Sequence, residues 1–230
     1  MERGELRAMK YTVYGAQMSG SVAVEAALTL MGQPYEVIEA MTFDPDDTPS
    51  GDKVLEANPM RQVPTLVTPA GEVLTESAAI LIWLAEQHPG AEMAPAPGDP
   101  ARGAFLRWMS FVSSAIYAHY WLKDDPSRLV TNASLHPDLD ARIQDRIDDC
   151  WAVMEAQTTP GRYILGDHMS VLDLYVTVVS RFRPRRERFY AAAPRLGHVV
   201  RHIDDDVRLQ AFWAERYPFF EDWDRIPSGG

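Results

Sequence analysis

A strand that passes into a helix through a hydroxyl-rich turn can hold an anion. Residues 15–21, Gly15-Ala16-Gln17-Met18-Ser19-Gly20-Ser21, have that composition. The free N–H groups and the positive dipole end of a following helix favour negative charge there, and a serine hydroxyl can donate to the same ligand. Plain capping of the helix by Ser19 or Ser21 uses the same residues. No lysine follows and no Gly-x-Gly-x-x-Gly is present, so the turn is not a nucleotide loop. A second candidate is Asn58-Pro59-Met60-Arg61-Gln62-Val63-Pro64-Thr65-Leu66. Pro64 opens a strand, where a cis bond is tolerated and turns the preceding backbone toward a ligand, although an ordinary trans proline also fits an edge. A third is Glu76-Ser77, a helix start directly after a strand, suited to gripping a carboxylate or to simple capping.

Other residues point to structure. Ser170-Val171-Leu172-Asp173 has capping-box spacing, with Asp in the fourth place, and nucleates a helix. Cys150 continues an apolar stripe and reads as a core thiol. Tyr117, His119, Tyr120 and Trp121 cluster at the end of one helix. Aromatic rings with polar tips suit the wall of a pocket for a flat apolar ligand, or an ordinary mixture of core and surface. His198 and His202 are four apart but lack a third ligand, so no metal site is expected. Arg181, Arg183, Arg185, Arg186 and Arg188 read as one solvated basic face.

The elements that must position these residues follow from periodicity. Alternation predicts strands at Lys10–Tyr14 and Tyr35–Glu39, then short strands at Pro64–Val67 and Glu72–Leu74 around a Pro69-Ala70-Gly71 turn. Helices are predicted at Val22–Met31 and Glu76–Gln87. A strand–helix–strand start implies a parallel pair, and the hairpin adds antiparallel strands. Asp44–Asp52, acidic with two prolines, predicts an exposed loop. Residues 89–100 carry four prolines and two glycines and form a linker. Beyond it every periodic segment is helical: Ala101–Trp121, a helix opened by Pro137, a nearly all-apolar Val171–Phe182, then Pro194–Ile203 and Val207–Trp213. The division is residues 9–88, a linker at 89–100 and a helical domain at 101–230, with residues 1–8 a dispensable lead before Met9.

Composition limits the function. The 230 residues carry a net charge of −11, which disfavours nucleic acid and anionic membranes as partners. A single cysteine excludes an intramolecular disulfide and a Cys-x-x-Cys pair. The longest apolar run, Ala78–Ala85, is eight residues, less than half a membrane span. Residues 1–5 hold no apolar signal core, and a soluble, cytoplasmic protein is expected.

Taken in order, the serine turn, the Asn-Pro…Gln-Val-Pro-Thr-Leu run, the Glu-Ser-x-x-Ile helix, the Pro-rich linker and Gly166-Asp167-x-x-Ser170-x-x-Asp173 resemble the glutathione S-transferase family, bacterial forms most of all. The resemblance covers residues 9–225. It implies an α+β thioredoxin-like domain followed by an all-α helical domain, glutathione as co-substrate, no metal, a homodimer and a small hydrophobic electrophile. It implies that Pro64 is cis, that Val63 presents its backbone to the cysteinyl part of glutathione, and that Glu76 and Ser77 hold the γ-glutamyl group with Gln62 beside them. Met18, Tyr117, Tyr120 and Trp121 fall where the family lines its electrophile pocket. Two residues depart from the pattern. Arg61 stands where many relatives have glycine, and Gly20 occupies the place of one bacterial class's cysteine. A hydroxyl is left to activate the thiol: Ser19 first, because it sits in the turn, then Ser21, then Tyr14 as in the tyrosine-type classes. A thiol near pKa 8.5 needs about 2.7 kcal/mol to fall by about two units. One charge-assisted hydroxyl bond supplies about 1.5–3 kcal/mol. The same resemblance admits a binding or regulatory module without catalysis, or another glutathione-dependent reaction such as isomerisation, dehalogenation or ether cleavage.

Overall fold

Alternation along Tyr11-Thr12-Val13-Tyr14-Gly15 buries the first, third and fifth residues and leaves Thr12 and Tyr14 half-buried on the other face. This is strand β1 (Tyr11–Gly15) of a computed structural model that describes residues 10–43, 48–183 and 186–219. It is followed by α1 (Ser21–Leu30), β2 (Tyr35–Glu39), a short helix α2 (Thr48–Asp52), β3 (Thr65–Val67), β4 (Val73–Leu74) and α3 (Ser77–Gln87). The sheet order is β2-β1-β3-β4. β1 and β2 are parallel and β3–β4 antiparallel, as the strand–helix–strand and hairpin patterns predict, and β1 also pairs antiparallel with β3. The acidic stretch expected as a loop is in part helical. Thr48–Asp52 forms α2, with Gly51 buried beneath the Arg61 guanidinium, and residues 44–47 lie outside the described residues.

The second domain is helical throughout. The segment expected as one helix over 101–121 is three pieces: α4 (Arg102–Phe111), a π-helical stretch over Val112–Tyr117, and α5 (Ala118–Asp124). Then come α6 (His136–Gln157), α7 (Val171–Val179), α8 (Arg186–Ala192), α9 (Pro194–Asp204) and α10 (Gln210–Arg216). Every residue of α7 is buried, because it packs on α1 and α3 of the first domain as well as on α4 and α9 of its own. Its start is the predicted capping box. Asp173 accepts from the Ser170 N–H at 2.8 Å and the Ser170 hydroxyl at 2.9 Å, and its second oxygen accepts from the Ile164 N–H at 2.8 Å. The Pro-rich linker is pinned to the same point, where the Val171 N–H donates to the carbonyl of buried Met93 at 2.8 Å. Cys150 lies in the core, as its stripe predicts.

The basic run is not a solvated face. Arg181 and Arg186 are buried and share the Asp204 carboxylate, Arg181 from 2.5 Å. Arg181 also stacks over Trp213 at 4.1 Å, and Arg186 donates to the Thr177 carbonyl at 3.0 Å. Arg188 reaches Asp148 at 2.5 Å, Arg183 is exposed, and Arg185 lies outside the described residues. Planar guanidinium groups tolerate burial where a carboxylate and an aromatic face are both in reach.

Asp173→Ala is expected to cost about 2–4 kcal/mol, since it leaves buried N–H groups without acceptors and removes the reciprocal cap. A fall in the urea midpoint with the slope unchanged checks this.

Candidate active site

Sheet register brings three chain segments to one end of the first domain. Tyr14 pairs with Thr65, and Leu66 with Leu74. Continuing those ladders sets Pro64 between Gly15 on one side and Glu76 on the other. The turn after β1, the Gln62-Val63-Pro64 segment and the Glu76-Ser77 junction therefore meet at one end of the sheet, the candidate cleft. α1 and α3 both begin there, so two positive helix ends point toward it. The Val63–Pro64 peptide bond is cis. Among the described residues nothing takes up the Val63 N–H or C=O, so both can pair with an extended peptide in the manner of an added strand. Gln62 is different. Its carbonyl accepts from the Asn58 side-chain amide and from the Thr65 hydroxyl, each at 3.1 Å.

Three of the four non-glycine residues with positive φ among those described flank this cleft: Met18 at 59°, Arg61 at 54° and Glu76 at 65°. Side chains disfavour this region, and such strain persists where the surroundings impose it, often at ligand clamps. It also accounts for Arg61 standing at a glycine-like position. Its guanidinium offsets the conformational cost by pairing with Asp52 at 2.7 Å and donating to the Thr42 and Thr48 carbonyls. Glu76 is exposed at the start of α3, its carboxylate free to meet an ammonium group. The Ser77 hydroxyl is already paired, 2.8 Å from the Tyr175 hydroxyl of α7, which leaves the Ser77 N–H for a ligand.

The serine turn is held from within. Ser19 Oγ donates to the Ala16 carbonyl at 2.8 Å, accepts from the Ser21 N–H at 3.2 Å, and lies 2.9 Å from Ser21 Oγ. Ser21 is fully buried, and its hydroxyl donates to Glu25 Oε1 at 2.7 Å. Each hydroxyl has one proton, and both protons have acceptors inside the turn. Glu25 is itself fully buried and receives Arg216 from α10, Nε at 2.5 Å and Nη2 at 3.3 Å. Arg216 also pairs with Glu39 on β2, and its carbonyl accepts the Met18 N–H at 3.0 Å. Burial pushes the Glu25 carboxyl up while Arg216 and Ser21 pull it down. Gly15 is needed here, because a Cβ would lie 2.4 Å from Ser21 Oγ.

The aromatic cluster divides. Tyr117, the last residue of the π-helical stretch, reaches the turn: a Cβ at Gly20 would lie 2.0 Å from its hydroxyl oxygen. Tyr120 turns into the helical core against Phe182. Trp121 is exposed under the Arg128 guanidinium, 4.3 Å from the ring centre. Ordinary core and surface, the bland alternative for this cluster, is what the geometry gives these two. Met18 is exposed on the turn, and Tyr14 is half-buried on the sheet face opposite Tyr11 and Val13. Sequence reasoning passed over Glu25, Tyr175, Arg216 and the bracing role of Asn58. Glu25 had a signal, a lone carboxylate in the apolar run Val22–Leu28, whereas Arg216 and Tyr175 gave none. No group of three or more His, Cys, Asp or Glu side chains among the described residues could hold a metal ion. His202 is instead engaged by Arg162 at 3.0 Å.

Residues 21–87 match the glutathione S-transferase N-terminal domain. The GST-like protein YncG of Escherichia coli (strain K12) is 26% identical over 198 residues, covering 86% of this chain and 94% of that one. The maleylacetoacetate isomerase of Rattus norvegicus is 26% identical over 195 residues, covering 84% and 86%. The crystal structure of a glutathione transferase homologue from Sulfitobacter with bound glutathione superposes with a TM-score of 0.78 at 24% identity, covering 89% of this chain and 97% of that one. The mixed sheet and helical bundle described above are the fold of that structure.

The Glu25–Arg216 pair predicts its own test. Arg216→Met should destabilise the protein by about 3–5 kcal/mol, because a buried carboxylate is left without its partner. Glu25→Gln combined with Arg216→Met should recover part of that loss, since the stranded charge is then gone. Denaturant unfolding of the single and double variants gives both numbers.

Proposed function

We propose that the chain, whose residues 21–87 match the glutathione S-transferase N-terminal domain, binds glutathione in the cleft between the β1 turn and α3 and activates its thiol for attack on a small hydrophobic electrophile. The free Val63 backbone opposite Glu76 and Ser77 carries this reading, because it offers a peptide ligand two main-chain hydrogen bonds beside a carboxylate and a helix N-terminus. A cysteinyl residue paired with Val63 has its γ-glutamyl group toward Glu76 and the Ser77 N–H. Its sulfur then lies toward Ser19 and Gly20, where the α1 dipole favours thiolate. Gln62 borders the same groove, and Met18 and Tyr117 line the side from which an electrophile approaches. In this reading the protein is a cytoplasmic homodimer and needs no metal. No helix among the described residues is long and apolar enough to cross a membrane.

A second reading has support of its own. Three curated relatives are named as isomerases, two of maleylacetoacetate and one of maleylpyruvate. A thiolate that adds to a conjugated double bond converts it to a single bond, and expulsion of the thiolate after rotation gives the geometric isomer. The same activated sulfur serves both reactions. They differ in whether glutathione is consumed: conjugation uses one per turnover and isomerisation none. Glutathione titrated before and after turnover of a candidate substrate separates them.

Glu76→Ala is expected to weaken glutathione binding about ten- to hundredfold, the loss of one charged-group hydrogen bond. The thermal midpoint should move little, since the side chain is exposed. Unchanged affinity in calorimetric titration would remove Glu76 from the site. Light scattering at micromolar concentration should return twice the 25.9 kDa chain mass. A monomer mass would contradict the dimer.

A further inference from the structure

We propose that Tyr117, contributed by the helical domain, is the hydroxyl that donates to the sulfur of bound glutathione, in place of a side chain from the β1 turn. The proposal rests on the glutathione reading above and names the group that acts on the thiol.

The first observation is steric. At Gly20, at the N-terminal end of α1, the space of a side chain is already taken: a Cβ there would lie 2.0 Å from the Tyr117 hydroxyl oxygen and 2.6 Å from the ring carbon that bears it. Tyr117 thus delivers an O–H to the point from which a residue at position 20 would address a ligand. The second is an account of protons. Ser19 and Ser21 each have one to donate, and the Ala16 carbonyl and the Glu25 carboxylate take them at 2.8 and 2.7 Å. To serve a sulfur atom, either serine would break a buried bond. Tyr117 has no such commitment, because no side chain among the described residues accepts its proton.

The third observation is the route by which the side chain arrives. The π-helical stretch Val112–Tyr117 ends on this residue, and an inserted wide turn re-aims the side chains that follow it. Tyr117 packs on Tyr175, with ring centres 6.3 Å apart, and the Tyr175 hydroxyl pairs with Ser77. The two tyrosines therefore span from the α3 start to the α1 start, the two ends of the proposed groove. Burial drives the Tyr117 hydroxyl well above its ordinary range, so it stays protonated wherever a thiolate exists and acts as donor only. No proton is transferred to or from it. The thiol proton leaves to solvent, and the phenol stabilises the anion left behind.

The test uses the full-length protein, glutathione as the probe, and the ultraviolet absorbance of the bound thiolate followed against pH. Tyr117→Phe keeps the ring and removes the donor. It should raise the thiolate midpoint by about one to two units and lower kcat about ten- to hundredfold, with KM for glutathione nearly unchanged. Ser19→Ala should move the midpoint much less. Gly20→Ala, whose methyl group displaces the hydroxyl, should reproduce the Tyr117→Phe shift, and the double variant should add nothing further. An unmoved midpoint in Tyr117→Phe, with glutathione still bound, overturns the proposal and leaves the glutathione site standing. A shift in Ser19→Ala alone assigns the role to the serine and also overturns it. Failure of the wild-type protein to bind glutathione in calorimetry overturns the site itself, and the proposal with it.

Discussion

Glu25 sits one turn into α1 with no access to water. A carboxylate in that position must be paired or the helix cannot be buried. Its partners are the Ser21 hydroxyl from its own helix and the Arg216 guanidinium from the far end of the chain. This requirement organises the region. It fixes Ser21 inward, and Ser21 in turn requires Gly15 to be without a side chain. It draws α10 against the β1 turn, so that the Arg216 carbonyl holds Met18 and the Gln17 side chain reaches the Glu215 carbonyl. The turn facing the cleft is shaped by a buried ion pair between the two domains.

The domains divide the work. The first supplies main-chain groups: the Val63 peptide, the N–H groups at two helix starts, and strained residues held by their surroundings. Backbone groups recognise a backbone, and the proposed co-substrate is peptide-like. The second domain supplies side chains from buried helices. Tyr175 braces Ser77, Arg216 braces Glu25, and Tyr117 occupies the space beside Gly20. α7 joins the halves by packing on α1 and α3, and its capping box and the pinned linker fix its start.

A site made this way separates binding from selectivity. The groove is set by sheet register and changes only if strands slip. The placement of Tyr117 beside it is set by helix packing, which differs wherever a π-helical turn or a core residue differs.

Much of this was legible in the chain. Alternation and the 3.6-residue period placed the four strands and helices α1, α3, α6, α7 and α9, because burial of one face is a local pattern, whereas α2 and α8 were not anticipated and α10 begins three residues later than its pattern. The capping box at Ser170 and Asp173 was readable from spacing, since capping is local. The order of motifs singled out Pro64, Glu76 and Ser77, which sheet register places side by side. What the sequence left undetermined was the direction of side chains that have two uses. Ser19 and Ser21 were candidates for ligand and cap alike, and only the burial of Glu25 turned them inward. Tyr117, Tyr120 and Trp121 were one cluster on paper. A π-helical turn and the packing of α7 send one to the cleft, one to the core and one to solvent. Arg181 and Arg186 looked like surface charge until Asp204 arrived from another helix. Local geometry follows from neighbours in the chain, which the sequence contains. The partner of a polar side chain is fixed by a residue far away, as Arg216 is for Glu25, and only folding brings the two together.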